Sequence, residues 1–298
     1  LNGAKNIASV QEASGKLPAL VGFDLSGWNS PTWGPSYTKV VQNAIDGAKE
    51  WSERGGIVTM QFHWKNPGKP DGKAWVQPPK GTGPFDVGAA VRPGTTEHKQ
   101  VMDDLKKHAD YLEQLRDARI PVLWRPLHEI DGGWFWWTDK ETPENTAALY
   151  RQIFDYFVKE RKLDNLIWVY NAALVCGREA ENIELRKRYY PGAEYVDISG
   201  IDIYPNERAG WKSYREDAYD RAYRIMQEVS PGKMLALSEG DAIPNPQIMA
   251  EDGPRWLYCV PWWGAGKRHP ADWIKTSYNH ELMITLEDLP KFSERGEQ

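Results

Sequence analysis

The stretch IPVLWR, residues 120–125, decides the fold class. It is continuously apolar up to its last residue, whereas a strand with one face in water alternates apolar and polar residues. It follows residues 98–118, in which Val101, Leu105 and Leu112 recur at helical spacing on one stripe. An amphipathic helix followed by a fully buried strand is the repeating unit of an α/β protein with a parallel sheet.

The same unit recurs along the chain. Further buried strands are predicted at residues 19–23, 57–62, 166–170, 196–204, 234–238 and 256–263. Helices are predicted at 36–54, from Thr142-Pro143 onward, at about 179–190 and at 214–229. An eighth strand, clipped by the start of the sequence and ending at Leu1, would complete a (β/α)8 TIM barrel forming a single domain over residues 1–298. A doubly wound open sheet is the alternative, but no G-x-G-x-x-G follows an early strand.

The composition narrows the class of ligand. A net charge of −5 argues against nucleic acid as a partner, and no apolar run approaches the roughly 20 residues of a membrane span. The chain has 15 Trp and 14 Tyr against only 7 Phe. Because Trp and Tyr join a flat apolar face to a polar edge, this balance favours a sugar ligand. Cys176 and Cys259 are interpreted as free thiols, since two cysteines build no disulfide framework.

Ionisable and aromatic residues gather where the predicted strands end, and in a barrel these ends meet at one face. They are Asp24, His63, Trp64, Arg125, His128, Glu129, Asp202, Tyr204, Glu239, Trp262 and Trp263. The Gly- and Pro-rich stretch 64–97 is too long for an ordinary connection and is predicted to lie over this face.

Glu129 and Glu239 stand out because cleavage of a glycosidic bond needs two carboxyl groups. One protonates the leaving oxygen, and the other acts on the anomeric carbon or on water. The tryptophan cluster at 134–137 predicts a dry site in which Glu129 keeps its proton. A glutamate beside Arg125 or a charged histidine would instead remain ionised as a nucleophile.

Other chemistries find less support, and no metal or cofactor is predicted. The HEIDG segment fails the H-E-x-x-H zinc pattern because Gly132 replaces the second histidine. GAGKR, residues 264–268, lacks the upstream glycine of a phosphate loop and has Arg268 after the lysine. The G-x-S-x-G pattern of an esterase is absent from the sequence.

Together these motifs resemble glycoside hydrolase family 26. The central match is VLWRPLHEIDGGWFWW, residues 122–137, in which an R-P-x-H-E stretch leads into W-F-W-W. The other matching segments, in chain order, are GKLPALVGFD (15–24), GGIVTMQFHWKNP (55–67), NLIWVYN (165–171), GIDIYP (200–205) and LSEGD (237–241). The resemblance therefore spans almost the whole chain.

The resemblance implies a retaining endo-glycosidase, chiefly a β-1,4-mannanase, with Glu129 as acid/base and Glu239 as nucleophile. It implies that His128 and Tyr204 contact the nucleophile, that His63 and Arg125 surround the sugar at the cleaved bond, and that Trp134 stacks on the leaving side. Trp262 or Trp263 is assigned to the other side, and Trp64 joins the predicted substrate-binding set.

Two alternatives remain open from the sequence. One is the same mechanism on β-1,3-xylan or mixed-linkage β-glucan, and the other is a barrel that binds polysaccharide without cleaving it. A polymeric substrate predicts a secreted, periplasmic or cell-surface protein, although no signal peptide is visible in LNGAKNIASV, residues 1–10. A monomer is expected as a separate prediction.

Overall fold

A computed structural model of the chain describes residues 3–26, 34–69, 72–77, 83–174, 182–204, 217–240, 242–251, 253–262 and 269–291. Within these residues, seven parallel strands pair in sequence order. They are β1 (Leu20–Asp24), β2 (Ile57–Gln61), β3 (Val122–Arg125), β4 (Leu166–Leu174), β5 (Ile198–Ile203), β6 (Met234–Gly240) and β7 (Cys259–Pro261). Because β7 also approaches β1, the sheet curves into a nearly closed barrel.

Helices cover the outside of this barrel. They are α1 (Gly3–Ser14), α2 (Pro35–Glu53), α3 (Val87–Ala90), α4 (Thr96–Asp117), α5 (Pro143–Phe154), α6 (Ile183–Tyr189), α7 (Asp217–Val229), α8 (Pro246–Glu251) and α9 (Ala271–Tyr278). A π-helical segment, Asp155–Glu160, continues α5, and short 3-10 turns lie at Ala193–Tyr195 and Leu286–Asp288. The alternation of strands and helices confirms the predicted (β/α)8 barrel class.

The pleat of the strands explains which side chains reach the barrel interior. In β3, Val122 and Trp124 belong to the main core beneath the helices, whereas Leu123 belongs to a separate small cluster. That cluster takes Leu123, Val169, Ile198 and Ala236 from four successive strands. Since alternate residues share a face, Arg125 follows Leu123 on the inner side of β3.

A β-bulge interrupts this alternation in β6. Ile201 pairs with Leu237, but the next residue of β5, Asp202, pairs with Glu239, so Ser238 is the extra residue. Ser238 lies against Gly200, where an added Cβ would come within 2.3 Å of the serine Oγ. Gly200 therefore makes room for the bulge, and the bulge brings Glu239 level with Asp202.

The structure differs from the sequence expectations mainly at the two ends of the chain. Helix α1 was not predicted, and the proposed eighth strand at Leu1 lies outside the described residues. The last strand is shorter than residues 256–263, because β7 covers only Cys259–Pro261. Cys259 is a half-buried free thiol, whereas Cys176 lies outside the described residues. Among the helices described, none combines the length and apolar character that a membrane span requires.

Candidate active site

Arg125 lies at the centre of a polar cluster at the carboxyl ends of the strands. Its Nη1 donates to both carboxylate oxygens of Asp202, at 3.0 and 2.8 Å, and its Nη2 donates to Oε2 of Glu239 at 2.7 Å. All three side chains are buried. The guanidinium thus joins the carboxylates of β5 and β6 through charge-assisted hydrogen bonds.

Glu239 is held at both carboxylate oxygens. Arg125 binds Oε2, and the hydroxyl of Tyr204, just beyond β5, donates to Oε1 at 2.5 Å. Burial and the nearby carboxylates raise the pKa of Tyr204, so this phenol stays protonated and remains a donor. The arrangement supplies two donors to an ionised carboxylate, which suits a nucleophile.

Glu129 comes from a loop after β3 rather than from a strand. Leu127 and Glu129 have left-handed backbone conformations, with φ of 49° and 52°. Non-glycine residues rarely adopt this region, and at functional sites the surrounding structure enforces it. The indole Nε1 of Trp134 donates to Oε2 of Glu129 at 2.6 Å, which fixes the direction of the carboxyl group.

Asn171 and Ser238 connect these groups, and the sequence reasoning did not select either of them. Asn171 donates from Nδ2 to Asp202 at 2.7 Å, while its Oδ1 accepts from the backbone N–H of Glu129 at 2.5 Å. Ser238 donates to Asp202 at 3.0 Å. Asn171 directly follows the predicted strand 166–170, and in the structure it lies within β4. Its position at the end of an apolar run was therefore an available signal.

The three carboxyl groups lie close together. One oxygen from each of Glu129, Asp202 and Glu239 lies within 4.8 Å of the other two. Such a set could hold a metal ion, but here the positive charge of Arg125 faces Asp202 and Glu239 directly. This upper limit of 4.8 Å between oxygens is close to the roughly 5–5.5 Å between the carboxyl groups of retaining glycosidases, and it is well below the roughly 6.5–9.5 Å of inverting ones.

Burial, followed by the negative charges of Asp202 and Glu239, raises the pKa of Glu129 well above its ordinary value. The direction agrees with the sequence prediction of a dry acid. The hydrogen bond from Trp134, which the sequence does not predict, favours the ionised form and acts in the opposite direction. Among the aromatics at 134–137, Trp134 therefore orients the carboxyl group and does not by itself keep it protonated.

Asp202 is the third member of the carboxylate cluster. Burial raises its pKa to about 7, with Glu239 adding to the effect and Arg125 opposing it. The sequence identified Asp202 as a residue at a strand end, but it was not among the predicted catalytic or substrate-binding residues. Its contacts place it at the centre of the cluster. It is the only one of the three that Arg125, Asn171 and Ser238 all contact.

Two histidines and Asp24 form a hydrogen-bonded chain at the ends of the first three strands. His63, after β2, is hydrogen-bonded through Nδ1 to Asp24 at the end of β1, and its Nε2 lies 3.1 Å from Nε2 of His128. Burial, His63 and Arg125 lower the pKa of His128, so it is neutral. The resemblance implies that His128 contacts the nucleophile, whereas in the structure its Nε2 contacts His63 and the group beside Tyr204 at Glu239 is Arg125.

The predicted aromatic residues divide between the cleft and the core. Trp134 is half-buried beside Glu129, and Trp262 lies with its ring centroid 5.9 Å from that of His63. Trp64 is only 1% exposed, and its indole donates to Asp104 at 3.1 Å, so its faces are covered by protein and are not available to a sugar. Trp263 lies outside the described residues.

Part of the 64–97 stretch packs against the loop that carries Glu129. Val76 donates to the carbonyl of Trp134 at 2.9 Å, and Trp136 donates to the carbonyl of Ala74 at 2.9 Å. Phe135, Trp136 and Trp137 are buried behind this short ladder. One tryptophan of the W-F-W-W run therefore faces the cleft, while the following three aromatics anchor the loop in the core.

Comparison with known proteins gives a consistent result. A sequence profile of glycosyl hydrolase family 26 matches residues 2–288. Mannan endo-1,4-beta-mannosidase B of Piromyces sp. is 30% identical over 95% of this chain and 46% of its own length. The mannan endo-1,4-beta-mannosidase of Thermothelomyces thermophilus is 32% identical over 94% of this chain and 55% of its own. The chain thus spans about half the length of these two relatives.

A solved structure extends the similarity to three dimensions. The β-mannanase from a symbiotic protist of the termite Reticulitermes speratus, complexed with gluco-manno-oligosaccharide, superposes with a TM-score of 0.80. It is 32% identical in sequence, and the alignment covers 96% of this chain and 85% of that one. The fold similarity therefore extends over nearly all of both chains.

Proposed function

The chain belongs to glycosyl hydrolase family 26, and from this premise we propose that it hydrolyses β-1,4-mannosidic bonds within mannan chains. We assign Glu129 as the acid/base and Glu239 as the nucleophile of a retaining double displacement. The mannanase names of its relatives support the substrate, and a cleft that combines paired carboxyl groups with tryptophan rings supports the reaction.

One observation carries the proposal: the two glutamates approach within 4.8 Å in opposite environments. Glu239 accepts hydrogen bonds from Arg125 and Tyr204, which stabilise its ionised form. Glu129 is buried beside two other carboxyl groups, which stabilises its protonated form. Environments that separate the protonation states of two carboxyl groups are the usual basis for assigning acid and nucleophile.

In the first step, a carboxylate oxygen of Glu239 attacks the anomeric carbon of the sugar. Glu129 gives its proton to the glycosidic oxygen as the bond between that oxygen and the anomeric carbon breaks. Because Trp134 donates to Oε2 of Glu129, the transferable proton resides on Oε1. The leaving sugar departs with a free hydroxyl, and the remaining sugar is esterified to Glu239.

In the second step, the ionised Glu129 takes a proton from water, whose oxygen attacks the same anomeric carbon. The ester bond to Glu239 breaks, and its carboxylate returns to the hydrogen bonds of Arg125 and Tyr204. Two inversions at one carbon give net retention. Both glutamates end in their starting protonation states, so these carboxyl groups complete the cycle without a cofactor.

The polymeric substrate also bears on where the protein acts. A mannan chain is too large to enter a cell, so we propose that the protein acts outside the cytoplasm, in a secreted, periplasmic or cell-surface location. We further propose that residues 1–298 form one catalytic domain and that the domain works as a monomer, since every group assigned above belongs to a single chain.

The test is product release from unbranched mannan, galactomannan, β-1,3-xylan and mixed-linkage β-glucan, with Glu239→Ala as the control. Manno-oligosaccharides released by the native protein and not by the variant are the expected result. Activity confined to another polymer would retain the mechanism and overturn the substrate. Binding to mannan without turnover of any polymer would indicate a binding barrel and reject the enzymatic proposal.

A further inference from the structure

The loop that carries Glu129 needs an external support. Leu127 and Glu129 both have left-handed backbone conformations, each of which is unfavourable for a residue with a side chain. The loop therefore keeps its shape only if contacts with other elements outweigh this local cost.

The end of β4 supplies the first support through its backbone. The N–H of Ile130 donates to the carbonyl of Asn171 at 3.0 Å, and the N–H of Ala173 donates to Oδ1 of Asp131 at 2.8 Å. The side chain of Asn171 accepts from the N–H of Glu129. Three consecutive loop residues, 129–131, are thus bonded to the end of one strand.

A buried ion pair completes this support. The guanidinium of Arg186, on α6, pairs through Nη1 with Oδ2 of Asp131, and its Nη2 donates to the carbonyl of Ala173 at 2.8 Å. The two side chains are 4% and 6% exposed, so solvent screens the pair weakly. Asp131 therefore accepts from the N–H of Ala173, and Arg186 donates to the carbonyl of the same residue. Together with the ion pair, these bonds connect the loop, β4 and α6 to one another.

We propose that the Asp131–Arg186 ion pair is a positioning device for Glu129, which fixes the loop so that the carboxyl group meets the leaving oxygen of the substrate. This inference rests on the role of Glu129 in the proposed function. The ion pair lies two residues along the chain from the acid and acts through the loop backbone. Glu239 is held by a different set of residues, so the pair affects protonation of the leaving group and leaves the nucleophile in place.

The distinguishing experiment compares two leaving groups. Release of a sugar from mannan requires a proton from Glu129, whereas release of 2,4-dinitrophenolate from an aryl β-mannobioside does not. In Asp131→Ala and Arg186→Met, we expect kcat on mannan to fall roughly tenfold to a hundredfold, the effect of a misplaced catalytic group. We expect the rate of the glycosylation step with the aryl substrate to stay within about threefold of the native value, since that step needs positioning of the nucleophile alone.

The ratio of these two rates, measured on one sample, does not depend on the fraction of folded protein. An equal loss on both substrates would overturn the proposal, and so would an unchanged rate on mannan. Arg186→Lys, which keeps the charge and has a single donor group, should recover part of the mannan rate. If either larger substitution prevents folding, the Lys variant carries the same ratio test, with an unchanged ratio again counting against the proposal.

The matched control lies on the same helix. Arg188 pairs with Glu144 on α5 through contacts of 2.6 and 3.0 Å, but this pair is exposed and joins two helices rather than the loop that carries Glu129. Glu144→Gln should therefore leave both rates unchanged. The native protein is assayed first. If it hydrolyses none of the polymers, the proposed function is rejected, and the variants are not compared.

Discussion

The two proposed catalytic glutamates are held by different means. Glu239 lies on a strand, and its position depends on charged and hydroxyl side chains that contact its carboxylate directly. Glu129 lies on a loop with left-handed residues, and most of the contacts that hold it are made to the backbone around it. The nucleophile side is thus organised by electrostatics, and the acid side by the conformation of the chain.

This difference follows from the two protonation states. An ionised carboxylate can be both positioned and stabilised by donors such as Arg125 and Tyr204. The same donors would remove the proton from an acid, because each of them lowers the pKa of the group that accepts from it. Glu129 must therefore be positioned with few donors to its carboxyl group, and Trp134 supplies one.

The largest effect is expected from removing the nucleophile. Glu239→Ala should lower kcat on the order of 10⁵-fold or more, as removal of a covalent nucleophile does in other enzymes. Azide can occupy the space of the lost carboxylate and attack the same face of the sugar. With an aryl β-mannobioside, we therefore expect an α-glycosyl azide, identified by NMR, and a β product would contradict the assignment of Glu239.

Removal of the acid should give a glycosyl azide of the opposite anomeric configuration. Glu129→Ala is expected to lower kcat on mannan by about 10²–10⁴-fold, the usual contribution of general acid catalysis. Formation of the glycosyl-enzyme from an aryl substrate should continue, and azide should then release a β-glycosyl azide. Because the native activity on mannan falls as pH rises through the raised pKa of Glu129, this basic limb should be absent from the residual activity of the variant on mannan. A retained limb would place the acid elsewhere.

A smaller effect is expected from Tyr204→Phe, which removes one donor from the nucleophile. A hydrogen bond to a charged group contributes about 1.5–3 kcal/mol, so kcat should fall roughly tenfold to a hundredfold for both leaving groups. The equal loss on both substrates separates this variant from those of the acid loop. Tyr223→Phe, whose hydroxyl donates to the carbonyl of Arg255 at the surface, is the matched control and should retain native rates.

The smallest effect is a shift in the pH profile. Asp202 raises the pKa of Glu129 through its negative charge, and Asp202→Asn removes that charge while keeping an acceptor for Arg125. The pKa of Glu129 should fall, so activity is lost at a lower pH and the basic limb moves to the acid side. Removal of a nearby like charge commonly changes a carboxyl pKa by about one unit or more. An unmoved limb in kcat/KM would show that the two carboxyl groups do not interact.

Much of this arrangement was predictable from the sequence because barrel strands have a simple pattern. Continuous apolar runs located the seven strands, and the residues that follow them include Arg125, Glu129, Tyr204 and Glu239, which the structure brings together. The closure of the barrel makes all strand ends neighbours, so position in a strand was sufficient information.

The remaining features depend on three-dimensional contacts that leave no repeating pattern in the sequence. The sequence assigns both Trp64 and Trp134 to substrate binding, yet Trp64 is buried, with its indole bonded to Asp104 of α4, whereas Trp134 is half-buried beside Glu129. Asn171 acts through contacts to two other elements, so its residue type alone was uninformative. The ion pair between Asp131 and Arg186 joins residues 55 positions apart on a loop and a helix, a distance at which periodicity gives no guidance.

The bulge at Ser238 increases the number of functional side chains that β6 contributes at one depth of the barrel. In a regular strand, side chains on one face are about 6.6 Å apart, so each layer of a barrel receives one group from each contributing strand. With the extra residue, β6 places the Ser238 hydroxyl on Asp202 while Glu239 faces Asp202 in the ladder and reaches Arg125. A single strand thereby contributes a supporting residue and the nucleophile at the same depth. Engineers who regularise β6 by deleting one residue should expect to lose one of the two.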